Sequence, residues 1–437
     1  MSNPEGFANC EAVFSQAIVQ SLARNDTPRH NFRLKRLTEG AGLCPWRFAL
    51  RKSAQFLSLI CATHFWYNSR MNPFKYGCVV AGENFCPRPE LERQLKDFAK
   101  TGQNLVIQGA RRMGKTSLVK HAIGSIRGMK LIYVDLYGIR TLAEFCERVM
   151  HGVAKATDEM SFLKKALQFA FRLRPTITVD PRDGSTTISV DARAAAEPNS
   201  LHAVMETLEK LAGDGRSCIV FDEFQDVLQL ENARGILAEM RSTIQFQADT
   251  PYFFMGSLRN EMMSIFDDMD SPFYKSALTF SVGEIDRAEF SSFIMERFEK
   301  GNRRISLSVI ARIIDFADGV SGDVQELCEA LWETSADGAE ILQDGMRAAI
   351  DLIFSRELGG YETIYERLTA GQAAVLRGLA ATPSARPYSL EFVSQVGMPA
   401  SSIRRIVTRL ADSRIIYASG GAYRFANPFF REWIMTR

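Results

Sequence analysis

Gly109-Ala-Arg-Arg-Met-Gly-Lys-Thr116 follows the apolar run Asn104-Leu-Val-Ile-Gln108 and leads into a segment of helical character at Lys115. The pattern is G-x-x-x-x-G-K-T, and each fixed element has a physical task. The glycines let successive backbone N–H groups turn toward one anion with no Cβ in the way. A helix that begins at that anion adds its free N–H groups and the positive end of its dipole. Lys115 supplies a point charge for the β- and γ-phosphates of a nucleotide, and the Thr116 hydroxyl is a ligand for Mg²⁺. The candidate nucleotide-binding residues are therefore Gly109, Ala110, Arg111, Arg112, Met113, Gly114, Lys115, Thr116 and Ser117. A strand before the loop and a helix after it separate this motif from a solvated turn with a stray lysine.

Outward from the loop, further short apolar runs recur between stretches of helical character: Lys130–Leu136, Ser217–Phe221, Pro251–Met255 and Leu278–Val282. Continuous apolar runs of this length are how strands read when both faces of a parallel sheet are covered. The expected fold is α/β, a parallel sheet with helices on both faces built around the P-loop. Ile177–Asp180 and Thr187–Asp191 flank Pro181-Arg-Asp-Gly184, which predicts a β-hairpin inserted between the second and third strands. After Ile285 the pattern turns helical. Asp286 with Glu289 reads as a capping box, and helices are expected over 286–299, 306–317, 322–335 and 341–356. Glu357-Leu-Gly-Gly-Tyr361 reads as a linker to a last domain. The boundaries follow: 1–70 a basic extension, 71–285 the ATPase core, 286–360 a helical lid, 361–437 a winged helix-turn-helix.

The run Ser217-Cys-Ile-Val-Phe ends in Asp222-Glu223. Parallel strands put such carboxylates beside the phosphate loop, where Asp222 is suited to hold a Mg²⁺-bound water. Glu223 is then the candidate general base for an attacking water. An immediate second acid argues against a nucleotide-kinase type of transferase. Gly256-Ser257-Leu-Arg259 ends the next strand. Ser257 is placed to bond the water or γ-phosphate, and Arg259 to stabilise charge on the γ-phosphate as it leaves. The candidate catalytic set is Lys115, Glu223, Ser257 and Arg259, with Thr116 and Asp222 as metal ligands, ATP as nucleotide and Mg²⁺ as cofactor.

These residues resemble the archaeal-type ATPases of the AAA+/STAND group of P-loop NTPases. The resemblance is carried by Phe85-Cys-Pro-Arg88-Pro-Glu90, the phosphate loop, Val134-Asp-Leu136, Phe221-Asp-Glu-Phe-Gln225, Gly256-Ser257 with Arg259, and Ser271-Pro-Phe-Tyr274. It covers about 71–437. It implies a sheet order of 5-1-4-3-2, a helical lid, a C-terminal winged helix, and switch-like or oligomeric behaviour. By the same resemblance Arg88 lies near the nucleotide base and the hinge, and Arg259 is a sensor arginine. One departure stands out: no arginine opens the lid helix around Gly319-Val-Ser-Gly-Asp323, where many AAA+ proteins place a second sensor.

In the last domain, a helix is expected from Leu368-Thr369, a short second one from Ser389 to Gly397, and a third over Pro399–Ser413. On the third, Ile403, Ile406, Val407 and Leu410 fall on one face at helical spacing. Arg405 and Arg409 lie opposite, with Arg404 flanking. Ile415–Ala418 and Ala422–Phe425 bracket Ser419-Gly-Gly421, a wing. Three helices and a wing suit a major groove. Arg404, Arg405 and Arg409 are the candidate DNA contacts, although such domains also bind proteins.

Charge is unevenly spread. Residues 1–70 carry 9 Lys/Arg against 4 Asp/Glu and 361–437 carry 10 against 5, while 71–360 carry 34 against 42. A basic end on an acidic body suits a polyanion. The eight cysteines show no C-x-x-C spacing and no zinc pattern; with them, a reducing cytoplasm is the expected setting. Ala54–Tyr67 is too short to span a membrane, and its position behind basic and polar sequence does not match a signal peptide. Residues 1–70 lack helix or strand periodicity. Either Met71 is the true first residue and 1–70 is translated upstream sequence, or they form a basic, loosely ordered extension. The functional expectation is a Mg²⁺-dependent ATPase that acts as a nucleotide-driven switch. The alternatives are a DNA-binding regulator with structural ATP and a protein-interaction scaffold. The partners expected are ATP, then duplex DNA, a second copy of the chain or another protein, and no membrane.

Overall fold

The structure is a computed structural model. It describes residues 72–156, 176–179, 186–189, 199–212, 217–257, 259–382, 386–419 and 422–437. Of these, 176–179, 186–189, 199–200, 211–212, 259–260 and 419 are described by backbone alone. The expectations for residues 1–70, for the hairpin turn at Pro181–Gly184 and for the wing tip at 420–421 lie outside the described residues.

Helix α1 (Pro89–Lys100) leads into β1 (Leu105–Gln108), the loop and α2 (Lys115–Gly124), then β2 (Lys130–Asp135) and α3 (Leu142–Ala156). The hairpin is present as β3 (Thr176–Val179) paired antiparallel with β4 (Thr186–Ser189), Ile177 opposite Ile188. Next come α4 (Asn199–Ala212), β5 (Ser217–Asp222), α5 (Ala233–Ile244), β6 (Tyr252–Gly256), α6 (Arg259–Phe266) and β7 (Leu278–Ser281). The main sheet has the order β2-β5-β6-β1-β7 with every pairing parallel. Numbering its strands one to five along the chain gives 5-1-4-3-2, the order that the resemblance implies.

The apolar runs are continuous because side chains alternate between two buried faces. Val106, Ile132, Val134, Ile219, Phe221, Tyr252 and Phe254 join one core with α3, α4 and α5. Leu105, Ile107, Cys218, Val220, Phe253 and Met255 join the other with α1 and α2. Phe221 stacks between Phe145, Tyr252 and Phe254, with centroids 6.1–6.3 Å apart.

Beyond the sheet, α7 (Arg287–Lys300), β8 (Arg304–Ile305), α8 (Leu307–Phe316), α9 (Ser321–Thr334), β9 (Glu340–Ile341) and α10 (Gly345–Glu366) build the lid. Asp286 caps α7 by accepting from the N–H groups of Ala288 and Glu289, and Ser306 caps α8. The last domain has α11 (Ala370–Ala381), α12 (Leu390–Val396), α13 (Ala400–Asp412), the antiparallel pair β10 (Ile416–Ser419) and β11 (Ala422–Phe425), and α14 (Pro428–Ile434). Thr369 and Gln372 form a full capping box on α11, and Ser389 caps α12.

The linker read at Glu357–Tyr361 is corrected: α10 runs unbroken through Gly359 and Gly360. Two glycines cost a helix about 1 kcal/mol each. The burial of Tyr361 among Phe354, Phe430 and Trp433 overrides that local penalty. Lid and winged helix accordingly share one hydrophobic cluster, from Phe290 and Ile310 through Leu331 to Val407 and Trp433.

Candidate functional site

The C-terminal ends of β1, β5 and β6 deliver three groups to one cleft of about 510 Å³. From the β1 side come Arg111, Lys115 and Thr116; from β5, Asp222 and Glu223; from β6, Ser257. Ser321, Gly322 and Gln325 of α9 line it from the lid, and 75–80 line it from the chain ahead of α1.

The loop needs its glycines. Gly114, which precedes α2, has φ 79°, and a Cβ on Gly109 would stand 2.4 Å from the Val282 carbonyl oxygen. Lys115 is buried, and its Nζ donates to the carbonyls of Gly109 (2.8 Å) and Ala110 (3.0 Å). Burial lowers its pKa from the ordinary lysine value, with Glu223 and Asp222 pulling the other way. The ammonium is thus positioned at the mouth of the loop and partly stripped of water, which strengthens its attraction for an anion.

Asp222 is buried at the end of β5. Its Oδ2 accepts from Thr116 Oγ1 at 2.8 Å and from the Tyr133 hydroxyl at 2.6 Å, and its Oδ1 accepts from the Glu223 N–H at 3.0 Å. Glu223 takes a left-handed backbone, φ 52°, a conformation that costs an L-residue about 1–2 kcal/mol and that recurs at working sites. Its carboxylate accepts from Ser257 Oγ (3.1 Å) and Gln225 Nε2 (2.5 Å). Arg111 Nε reaches Ser257 Oγ at 3.4 Å. Hydroxyl, aspartate, glutamate, serine and arginine thus form one hydrogen-bonded chain across the cleft.

Of the remaining loop residues, Arg112 and Ser117 line the cleft as well, and Met113 does not. Met113 is buried and its carbonyl accepts from Arg88 Nη2 at 2.7 Å, while Arg88 Nη1 donates to the Gly283 carbonyl at 3.0 Å. Arg88, itself buried, ties the loop to the segment leading into the lid; burial lowers its pKa. Ser117 is buried and its Oγ accepts from the Val80 N–H at 3.1 Å. Arg112 also has a left-handed backbone, φ 64°. Its guanidinium meets Asp323 and Glu326 of α9 at 2.5 Å each, and its carbonyl accepts from the Gly322 N–H (2.9 Å) and Ser321 Oγ (3.0 Å). Asp323 Oδ1 lies close to Arg112 but off the N–H direction, so this buried oxygen has a charged neighbour and no directed hydrogen bond. Burial pushes the Asp323 carboxyl up to about 7, against the pull of Arg112. The guanidinium itself is also penalised by burial, and the two carboxylates more than offset this to keep it charged.

Thr116 and Asp222 offer few, hard oxygen donors, the set that suits Mg²⁺ held by one or two protein ligands and by substrate phosphates. Among the described residues no cluster of three or more His, Cys, Asp or Glu side chains gathers as a metal cage. The Arg259 side chain lies outside the described residues; its backbone opens α6. Arg404, Arg405 and Arg409 are exposed on α13, opposite buried Ile403, Val407 and Leu410, with Arg404 5.2 Å from the Tyr388 ring.

Sequence reasoning missed Tyr133, Gln225, Asp323 and Glu326. Tyr133 carries a faint signal, a long hydroxyl-bearing side chain two residues short of the end of β2. Its use depends on the register that sets Tyr133 opposite Val220, two residues before Asp222.

The sheet order, the loop between β1 and α2 and the acidic end of the adjacent β5 define the fold as that of an AAA+ P-loop NTPase, with a helical lid and a C-terminal winged helix. The family described as a probable winged helix domain matches residues 359–436. Among solved structures, the Walker-type ATPase PABY2304 of Pyrococcus abyssi is similar with a TM-score of 0.57 and 19% identity, covering 83% of this chain and 99% of that one. The Aeropyrum pernix ORC1 protein in complex with DNA matches with a TM-score of 0.42 and 14% identity, over 81% of this chain and 93% of that one. Among curated proteins no sequence matches the chain. No helix among the described residues is long and apolar enough to cross a membrane.

Proposed function

We propose that the chain binds ATP with Mg²⁺, hydrolyses it, and uses nucleotide occupancy to set the geometry between its sheet and its lid. The observation that supports hydrolysis is the unbroken chain of Thr116, Asp222, Glu223 and Ser257 beside Lys115. The loop N–H groups and Lys115 hold the β- and γ-phosphates. Thr116 and Asp222 hold the Mg²⁺, which neutralises phosphate charge. Glu223, oriented by Ser257 and Gln225, accepts the proton of the water that attacks the γ-phosphorus, and ADP carries away the broken bond's electron pair. Arg259 stabilises charge on the departing phosphate.

The switch reading rests on Arg112. It belongs to the loop that receives phosphate, yet Asp323 and Glu326 of the lid hold its guanidinium. Phosphate oxygens and lid carboxylates compete for one cation, so nucleotide and lid position are coupled. Duplex DNA is the proposed partner at α13, because its exposed face carries Arg404, Arg405 and Arg409 in a domain of net positive charge. A self-assembled form remains the second partner proposed. The described cysteines, Cys78, Cys86, Cys146, Cys218 and Cys328, are free thiols, in keeping with a reducing cytoplasm.

The test is ATP turnover and binding in Lys115→Ala and Glu223→Gln, against protein concentration, with and without duplex DNA. Lys115→Ala is expected to lose tight ATP binding. Glu223→Gln is expected to bind as well as the wild type and to turn over at least about 100-fold more slowly. Wild-type turnover in Glu223→Gln rejects the assigned base.

A further inference from the structure

Asp222 is held more tightly than a phosphate loop by itself requires. Its Oδ1 is taken by the Glu223 N–H, and its Oδ2 receives two hydroxyl protons, from Thr116 and from Tyr133. The second hydroxyl comes from the neighbouring strand β2, and its ring packs against the core beneath α2. Lys120 of α2 places Nζ 3.6 Å above that ring. A cation over the face draws electron density from the phenol and makes its O–H a stronger donor.

We propose that Tyr133 is a positioning residue for the metal-linked part of nucleotide binding, acting through Asp222. The proposal rests on the reading of the cleft as an ATP–Mg²⁺ site. A carboxylate that carries one side of a Mg²⁺ shell must keep its oxygens in fixed directions, since this ion tolerates little departure from octahedral geometry. The Thr116 hydroxyl can give a lone pair to the ion and its proton to Asp222 at once, so the direction of that bond is tied to the ion itself. Tyr133 supplies an anchor that is not a ligand. Partners of this kind typically contribute 10- to 100-fold to metal affinity.

Tyr133→Phe keeps the ring and removes only the hydroxyl. The experiment measures the affinity of a fluorescent ATP analogue with Mg²⁺ and with EDTA, in full-length wild type, Tyr133→Phe, Asp222→Asn and the double variant. Thermal melts confirm that each is folded. In wild type, Mg²⁺ is expected to tighten binding. In Tyr133→Phe that gain is expected to shrink by about tenfold, with affinity in EDTA within about twofold of wild type. In the Asp222→Asn background, Tyr133→Phe is expected to change nothing further, because its effect runs through the missing carboxylate. An unchanged Mg²⁺ gain in Tyr133→Phe overturns the proposal and leaves the ATP site standing. So does an equal loss with and without Mg²⁺, or an additive loss in the double variant. A wild-type chain that binds no nucleotide overturns the reading of the cleft, and the role of Tyr133 with it.

Discussion

The α/β sheet and the body made of lid and winged helix are each held by apolar packing, whereas the joint between them mixes polar and apolar contacts. Within the sheet layer the contacts are Phe, Val, Ile and Met side chains buried on both faces. Within the second body, Phe316 meets Phe429 at 5.5 Å and Tyr361 meets Phe430 and Trp433 at 5.5 and 5.7 Å, all in one cluster. Between the two bodies the described ties include Arg112 to Asp323 and Glu326 and Ser321 to the Arg112 carbonyl, together with an apolar anchor, Phe74 ahead of α1, whose ring lies 4.7 Å from Phe298 and 6.5 Å from Trp332 of the lid. Apolar joints lose free energy in proportion to the area they re-expose to water. Polar groups exchange their partners for water, so their net loss on opening is small. The polar contacts thus gather where the lid meets the phosphate loop, whereas the two glycines lie within a helix of an apolar body.

The sharpest way to break this picture is Tyr361→Ala, which cuts the apolar joint. It is expected to cost about 3 kcal/mol, read as a fall in the denaturant midpoint, with lid and winged helix still melting in a single step. A separate early transition of the winged helix would mean that the shared cluster does not bind the two together. At the outer surface of the same body, Arg405→Ala with Arg409→Ala is expected to weaken duplex binding at least tenfold by fluorescence anisotropy. Each lost phosphate contact should flatten the salt dependence by about one, with ATP turnover unchanged in the absence of DNA. Absence of wild-type binding at low salt, with ATP and Mg²⁺ present, promotes a protein partner instead.

Gly359→Ala with Gly360→Ala tests the helix that joins the two halves of that body. Neither position has a neighbour within 4 Å of an added Cβ. A true helix interior should gain about 1–2 kcal/mol from the pair; a flexible linker would gain nothing systematic. The smallest effect is expected at the polar contacts between loop and lid. The folded chain holds Asp323 near 7, above the ordinary carboxylate value. The protonated form is thus favoured by folding, and this stabilisation is full below about pH 4 and is lost as pH rises from there through about 7. Arg112, Glu326 and Asp318 are the charged groups that act on it. Asp323→Asn, which stays neutral, should gain on wild type as pH rises, with a melting advantage about 2 °C larger at pH 8 than at pH 5. Equal shifts at both pH values would assign the effect to packing.

Much of the fold is written locally. Each strand of the main sheet carries its own apolar run, and the loop at Gly109–Thr116 and the acids at Asp222-Glu223 sit at strand ends where spacing alone locates them. Ser257 follows from the same rule at the end of β6. The rest depends on closure in three dimensions. Arg112 and Glu326 are 214 residues apart, and no local pattern says that a loop arginine will be claimed by lid acids. Tyr133 required the β2–β5 register. Gly359-Gly360 reads as a break because propensity is local, whereas burial of Tyr361 is not. Helix α14, only seven residues long, was hidden behind an Asn-Pro cap whose aromatic residues gain their meaning only against the lid.

The unbroken run of α10 has a mechanical consequence. A helix of 22 residues is a rod about 33 Å long, so a tilt of about 10° at its lid end sweeps the other end through about 6 Å. That stroke exceeds the roughly 3.4 Å rise of one duplex step. On the proposed switch reading, a rearrangement of a single guanidinium at Arg112, too small to shift the winged helix by contact alone, would be geared up by this lever into a displacement the size of a register change on a polymer.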